Sequence, residues 1–169
     1  LSRIVTSSIG RKMMVAVLGL LLCGFLGGHL AGNLLLFVGP GAFNAYAHHL
    51  ETFHLLVPVE LGLASIILLH AIVTVYLKIT ALLARPVGYA VSVSKGGRTL
   101  GSSTMIYTAV LILVFIVVHV ATFKYGTRPS PEDLYGLVMG YLKDWRWAVF
   151  YALVMGAIGL HLSHGFWSA

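Results

Sequence analysis

Four long apolar runs decide what this chain can fold into. They cover residues 13–38, 57–83, 100–123 and 147–167. Each reaches the roughly 20 residues that a helix needs to cross the hydrocarbon core of a bilayer. Within lipid a chain must satisfy its own backbone hydrogen bonds, which leaves helices and closed barrels. Runs this long and continuous do not suit the short alternating strands of a barrel. The expected fold is therefore an all-α membrane protein, a transmembrane bundle with four spanning helices. Composition agrees: 59% of residues are hydrophobic and 9% charged, against about 25% charged in a soluble domain. Neither a repeat nor a composition break divides the chain, so residues 1–169 read as one domain.

The connectors carry the charge. "GPGAFNAYAHHLETFH" follows the first run as an interfacial, partly amphipathic segment, "ARPVGYAVSVSKGGR" follows the second, and "YGTRPSPEDLYG" the third. Arg3, Arg11, Lys12, Lys78, Arg85, Lys95 and Arg98 fall on one side. Lys124, Arg128, Lys143 and Arg146 fall on the other, among Glu132, Asp133 and Asp144. The richer side is expected to be cytoplasmic, which places the N-terminus inside and Trp145 and Trp147 in the outer aromatic belt. The net charge of +6 thus follows membrane topology and gives no reason to expect a nucleic-acid partner. Cys23, the sole cysteine, lies within an apolar run and reads as a packing residue. There is no C-x-x-C-H for covalent haem attachment. The first run is too long for the core of a cleaved signal peptide.

Each run holds one deep histidine: His29, His70, His119 and His161. Intramembrane ionisable residues are rare, costly and turned toward the bundle interior. His29 and His119 lie roughly 24 to 29 Å from the inner ends of their helices, and His70 and His161 roughly 20 Å from the outer ends of theirs. Two pairs at two levels result, His29 with His119 and His70 with His161. Two imidazoles facing each other across a bundle suit a six-coordinate haem iron. A zinc site would need its ligands at one level, and a proton relay is normally built with Asp or Glu partners. Two haems b are the expected cofactors.

"CGFLGGHLAGN" sets Gly24, Gly27, Gly28 and Gly32 around His29, and Gly156 and Gly159 precede His161. Such stripes let a flat macrocycle approach the backbone, or serve ordinary small-residue helix packing. Asn33, Thr74, Thr122 and His164 stand near the four histidines and could bond propionates or ligand N–H groups, or be satisfied within their own helices.

"SSIGRK", "GGHLAGN", "LLHA", "FIVVHVATFKYG" and "HLSHGFWSA", in that order, resemble the diheme cytochrome b membrane anchor of succinate:quinone oxidoreductases, the succinate dehydrogenases and fumarate reductases. The likeness covers nearly the whole chain. It implies an outer haem held by His29 and His119, and an inner haem held by His70 and His161. It also implies flavoprotein and iron–sulfur subunits docked on the cytoplasmic face of a bacterial inner membrane, with a dimer of the complex as a further option. This chain would carry electrons between the iron–sulfur relay and a quinone, expected to be menaquinone, and would have no dicarboxylate site of its own. Ser7 and Arg11 match a quinone-site stretch of related anchors, although a capped, positive-inside helix start is the plainer reading. Glu51 stands in the region where some members keep an acidic residue for quinol proton transfer, although without the resemblance a solvated surface carboxylate is the plainer reading; His48, His49 and His54 lie near it. Two departures stand out. The glutamate that some members carry two residues before the fourth histidine is Gly159 here, and the family's fifth helix would lie beyond Ala169. The alternatives are the cytochrome b of a hydrogenase or formate dehydrogenase, and a haem-free proton-coupled transporter, which would need broken helices.

Overall fold

The computed structural model describes residues 7–84 and 99–168. The basic residues Arg3, Arg85, Lys95 and Arg98, the breakers Pro86, Gly96 and Gly97, and the terminal Ala169 lie outside the described residues. Six α-helices follow in order: α1 (Ser8–Asn33), α2 (Pro40–Glu51), α3 (Leu56–Leu83), α4 (Leu100–Phe123), α5 (Leu134–Lys143) and α6 (Trp145–Ser168). No strand occurs among the described residues. The chain is an all-α helix bundle. α1 with its 3₁₀ extension Leu34–Phe37, α3, α4 and α6 are each long and apolar enough to span a membrane. α3, α4 and α6 are unbroken α-helix over the ranges given, and the first span passes from α-helix into 3₁₀ after Asn33.

The starts of these helices follow from local chemistry. Ser7 caps α1 by accepting from the Gly10 N–H at 3.0 Å. Thr99 and Ser102 form a reciprocal capping box at the start of α4. Asp133 caps α5 by accepting from the Gly136 N–H at 2.8 Å. α2 opens on Pro40, whose missing N–H costs nothing at a first position. Before it, Gly39 takes φ +129°, a left-handed value that favours glycine, and this turns the chain from the 3₁₀ extension into α2. α5 has no counterpart among the long apolar runs. Ten residues are too few to span, so "LYGLVMGYLK" does not register there, although Asp133 ahead of it is an N-cap signal.

The spans pack as two antiparallel pairs, α1 with α3 and α4 with α6. Between the pairs, close backbone approach among the described residues is confined mostly to a short stretch of α1 and α6. The α4–α6 contact holds the densest part of the core, with Val154 1% exposed and Phe115 and Ala157 buried. A second small core, Phe43 and Ala47 with Leu137 and Val138, joins α2 to α5 across one end of the bundle. Long apolar side chains such as Leu20, Leu21, Leu68 and Val117 point outward, as expected where the solvent is lipid.

Polar contacts tie the α2/α5 end together. Glu60, in the second turn of α3, pairs with Lys124 at the end of α4. Arg128 clasps Glu51, the last residue of α2. Asn44 of α2 donates to Asp133 at 3.2 Å and accepts from the Tyr135 N–H at 2.8 Å. All five acidic residues of the chain sit at this end.

Three glycines mark close approaches between different helices. A methyl group on Gly101 of α4 would meet the Leu160 carbonyl oxygen of α6 at 2.8 Å; one on Gly32 would strike the Tyr46 ring at 2.5 Å; one on Gly19 would sit 3.3 Å from His70 Cε1. By contrast, Gly24, Gly27, Gly28, Gly156 and Gly159 have no neighbouring atom within 4 Å of such a methyl. Those stripes are therefore not seams between the described helices. The backbone carbonyl facing Gly101 cannot swing aside as a side chain could. Gly101→Val should lower stability by about 1–3 kcal/mol through overpacking. Gly62→Ala, with nothing within 4 Å, should be neutral or stabilising by up to ~1 kcal/mol. Thermal unfolding of both variants in detergent micelles checks the contrast.

Candidate functional site

His29 lies one turn before the end of α1, and His119 one turn before the end of α4. Their ring centroids are 5.7 Å apart with planes at 84°. His29 stacks on Phe25 at 5.5 Å. His119 is ringed by Phe115 at 5.4 Å, Phe123 at 5.3 Å and Tyr151 at 6.2 Å. Its Nδ1 and the Tyr151 hydroxyl of α6 are 3.2 Å apart. With Nδ1 engaged there, Nε2 is the nitrogen left to face a partner.

The second pair lies deeper, further from the α2/α5 end. Gly19, beside His70 of α3, stands ten residues before His29 on α1, and Thr108, beside His161 of α6, stands eleven before His119 on α4, so His70 and His161 share a deeper level. His161 Nδ1 is 3.2 Å from the Thr108 hydroxyl of α4. About 16 Å of helix rise separates Thr108 from His119 along α4, so the two pairs occupy distinct levels. His70 Nδ1 is buried and has no hydrogen-bond partner among the described residues. It lies 3.8 Å from where a Gly19 methyl would stand. Both pairs reach across from one helix pair to the other: α1 to α4, and α3 to α6.

These residues fit a bis-imidazole iron centre. Two metal–imidazole bonds of about 2 Å each put the ring centroids roughly 6 Å apart, close to the separation of His29 and His119. Hydrogen bonds that hold the non-ligating nitrogen are a normal feature of metal-binding histidines. Among the described residues, no three His, Cys, Asp or Glu side chains gather as a metal cluster.

The other expected site residues have ordinary partners. Ser7 caps α1, and the Arg11 guanidinium donates to the Tyr76 hydroxyl at 3.2 Å and lies 4.5 Å from the Tyr76 ring centre. Both sit at the end opposite α2 and α5. Asn33 donates to the His29 carbonyl at 2.8 Å and Thr74 to the His70 carbonyl at 2.6 Å, each within its own helix. The Thr122 carbonyl abuts Gly126, and His164 packs with its Cβ 3.1 Å from where a Gly101 methyl would stand. Glu51 is bound through both oxygens by Arg128, with Nη1 3.3 Å from Oε2.

Thr108, Tyr151, Gly19 and the Glu60–Lys124 pair do not stand out in the sequence as site residues. The first two nonetheless carry a usable signal. Thr108 stands eleven residues before His119, and Tyr151 ten before His161, both about three turns. On antiparallel neighbours, that spacing sets each hydroxyl opposite the other helix's histidine.

The hydrogen bond from Arg128, with its charge and that of His48 adding to it, holds the Glu51 carboxyl below the usual carboxylate range. A depressed folded-state value adds stability above the ordinary carboxylate value of about 4.3 and loses it as pH falls through the lower folded value. Glu51 is 43% exposed, so screening limits the effect. Arg128→Gln should cost at most ~1 kcal/mol at pH 7. The difference from the unmodified protein should vanish in thermal unfolding well below pH 4.

No protein-family model, no curated protein and no solved structure matches the chain.

Proposed function

We propose that this chain is the membrane-anchor and electron-transfer subunit of a succinate dehydrogenase or fumarate reductase complex, a diheme cytochrome b. The observation that carries the reading is the pair of cross-bundle histidine couples at two levels, each with one ring held through Nδ1 by a hydroxyl of a third helix. The ordered motifs from "SSIGRK" to "HLSHGFWSA" supply the rest. His29 and His119 would hold one haem b, and His70 and His161 the other. Bound there, haem supplies one-electron transfer between an iron–sulfur partner and a quinone.

The chain's own residues do the holding, shielding and proton handling. Phe25, Phe115 and Phe123 give the first pair an apolar, water-excluding wall. In this reading the N-terminal end faces the cytoplasm of a bacterium, where flavoprotein and iron–sulfur subunits dock. The segregation of charge supports that orientation. Of the four bases at the α2/α5 end, Lys124, Arg128 and Arg146 are ion-paired with Glu60, Glu51 and Asp144. Arg11 and Lys12 lie at the other end, where no acidic residue stands. A menaquinone-type quinone would react at the outer, α2/α5 end. Glu51 would take the proton there once its grip on Arg128 loosens, with His48 beside it.

Pyridine hemochrome assay of the purified complex should give two haems b per chain; one or none would overturn the reading. His29→Ala and His119→Ala should abolish one and the same spectral component, and His70→Ala and His161→Ala the other. Loss of a single component by His29→Ala and His70→Ala alike would refute the pairing.

Glu51→Gln keeps the size of the side chain but removes its titratable group. It should slow quinol-linked turnover several-fold while leaving both haems and dye-linked succinate oxidation unchanged. Unaltered quinol-linked rates would shift the quinone site toward Ser7 and Arg11.

A further inference from the structure

Thr108 is the buried polar side chain of the α4–α6 contact, 6% exposed. Its Oγ1 lies 3.1 Å from the Thr104 carbonyl, 3.1 Å from the Met105 carbonyl and 3.2 Å from His161 Nδ1. A threonine hydroxyl has one proton to give and two lone pairs to receive. If that proton went to His161 Nδ1, it would make a single bond, and the ring's hydrogen would sit on Nε2. If it goes to a carbonyl of its own helix, His161 Nδ1–H donates to Oγ1, and two bonds form instead of one. In a buried setting the arrangement with more bonds wins. We infer that Thr108 is a positioning residue that fixes His161 as the Nδ1–H tautomer and thereby presents a bare Nε2 to iron. The inference rests on the haem reading above. It gives a residue of α4 control over the deeper level, although the histidine of α4 itself serves the other.

A hydroxyl accepting from Nδ1–H also makes the imidazole a stronger electron donor, which favours the oxidised metal. Loss of that bond should therefore raise the midpoint potential of one centre only. The test is redox titration of the native purified complex, with each spectral component assigned by the His→Ala variants. Thr108→Val should raise the potential of the component lost in His161→Ala. The expected bias is tenfold or less, which is about 59 mV or less for one electron. The component lost in His119→Ala should stay where it is, and Thr108→Ser should restore the original value. Should Thr108→Val fail to assemble, Thr108→Cys, whose thiol is a weak acceptor, should give the same shift. Unchanged potentials, or a shift in the His119 component, would overturn the inference. A native complex without haem would instead overturn the functional reading. In that case ¹⁵N NMR of His161 in the same preparation decides the tautomer, and a hydrogen on Nε2 would refute the role of Thr108.

Discussion

Lipid gives two helices no hydrophobic reason to associate, because the tails around them are as apolar as their own side chains. Association must come from close packing and polar contacts. Within each helix pair, packing suffices: Gly101 lets α6 come down on the backbone of α4, and Gly19 lets His70 of α3 lie against α1. Between the pairs the described helices share little direct packing. What joins them is the α2/α5 end, where the small apolar core of Phe43, Ala47, Leu137 and Val138 lies beside a polar clamp of Glu60 on Lys124, Glu51 on Arg128, and Asn44 on Asp133 and Tyr135. The spacing of the two pairs, and so the geometry of both histidine couples, depends on that clamp.

Much of this architecture is legible in the amino-acid sequence. Length and hydropathy set the four spans, and the alternating direction of the helices sets the two levels of histidine. The rest escapes for physical reasons. α5 is too short to register as a span, and its amphipathic face shows only against α2. Glu60 is the fourth residue of an apolar run, and nothing local says that Lys124, one connector and one span away, will meet it. The glycines are legible as small residues but not by role. Those flanking His29 and His161 have the spacing of helix seams, yet of them only Gly32 meets another element, and the remaining close approaches run through Gly19 and Gly101. A small residue tells that a close approach is possible, and only the partner helix tells whether it happens.

The α4–α6 pair has an internal reciprocity. Each helix contributes one histidine to one level and one hydroxyl to the other, at spacings of about three turns. An antiparallel pair makes this self-consistent. Moving up one helix means moving down its neighbour, so a single vertical offset lines up His119 with Tyr151 and His161 with Thr108 together. α1 offers no counterpart: between Gly10 and Asn33 it has no serine, threonine or tyrosine. His29 leans on Phe25, and His70 Nδ1 has no partner among the described residues. One ring of each couple is therefore held through Nδ1 by a hydroxyl of α4 or α6, whereas His29 stacks on Phe25 and His70 lies against Gly19 of α1.

The same economy creates a conflict at Glu51. As a clamp it must stay ionised on Arg128, and its depressed carboxyl pKa favours that state. As the proton acceptor proposed here for a quinol it would have to become basic enough to take a proton at neutral pH. The two demands cannot be met at one moment. A proton arriving at Glu51 neutralises it, removes the attraction of Arg128 and slackens one of the contacts that hold the helix pairs together. Glu60 and Asn44 would keep the end closed meanwhile, since neither contact involves Glu51 or Arg128. A clamp made of several separate contacts can surrender one to chemistry without giving up the geometry of the histidine couples below it.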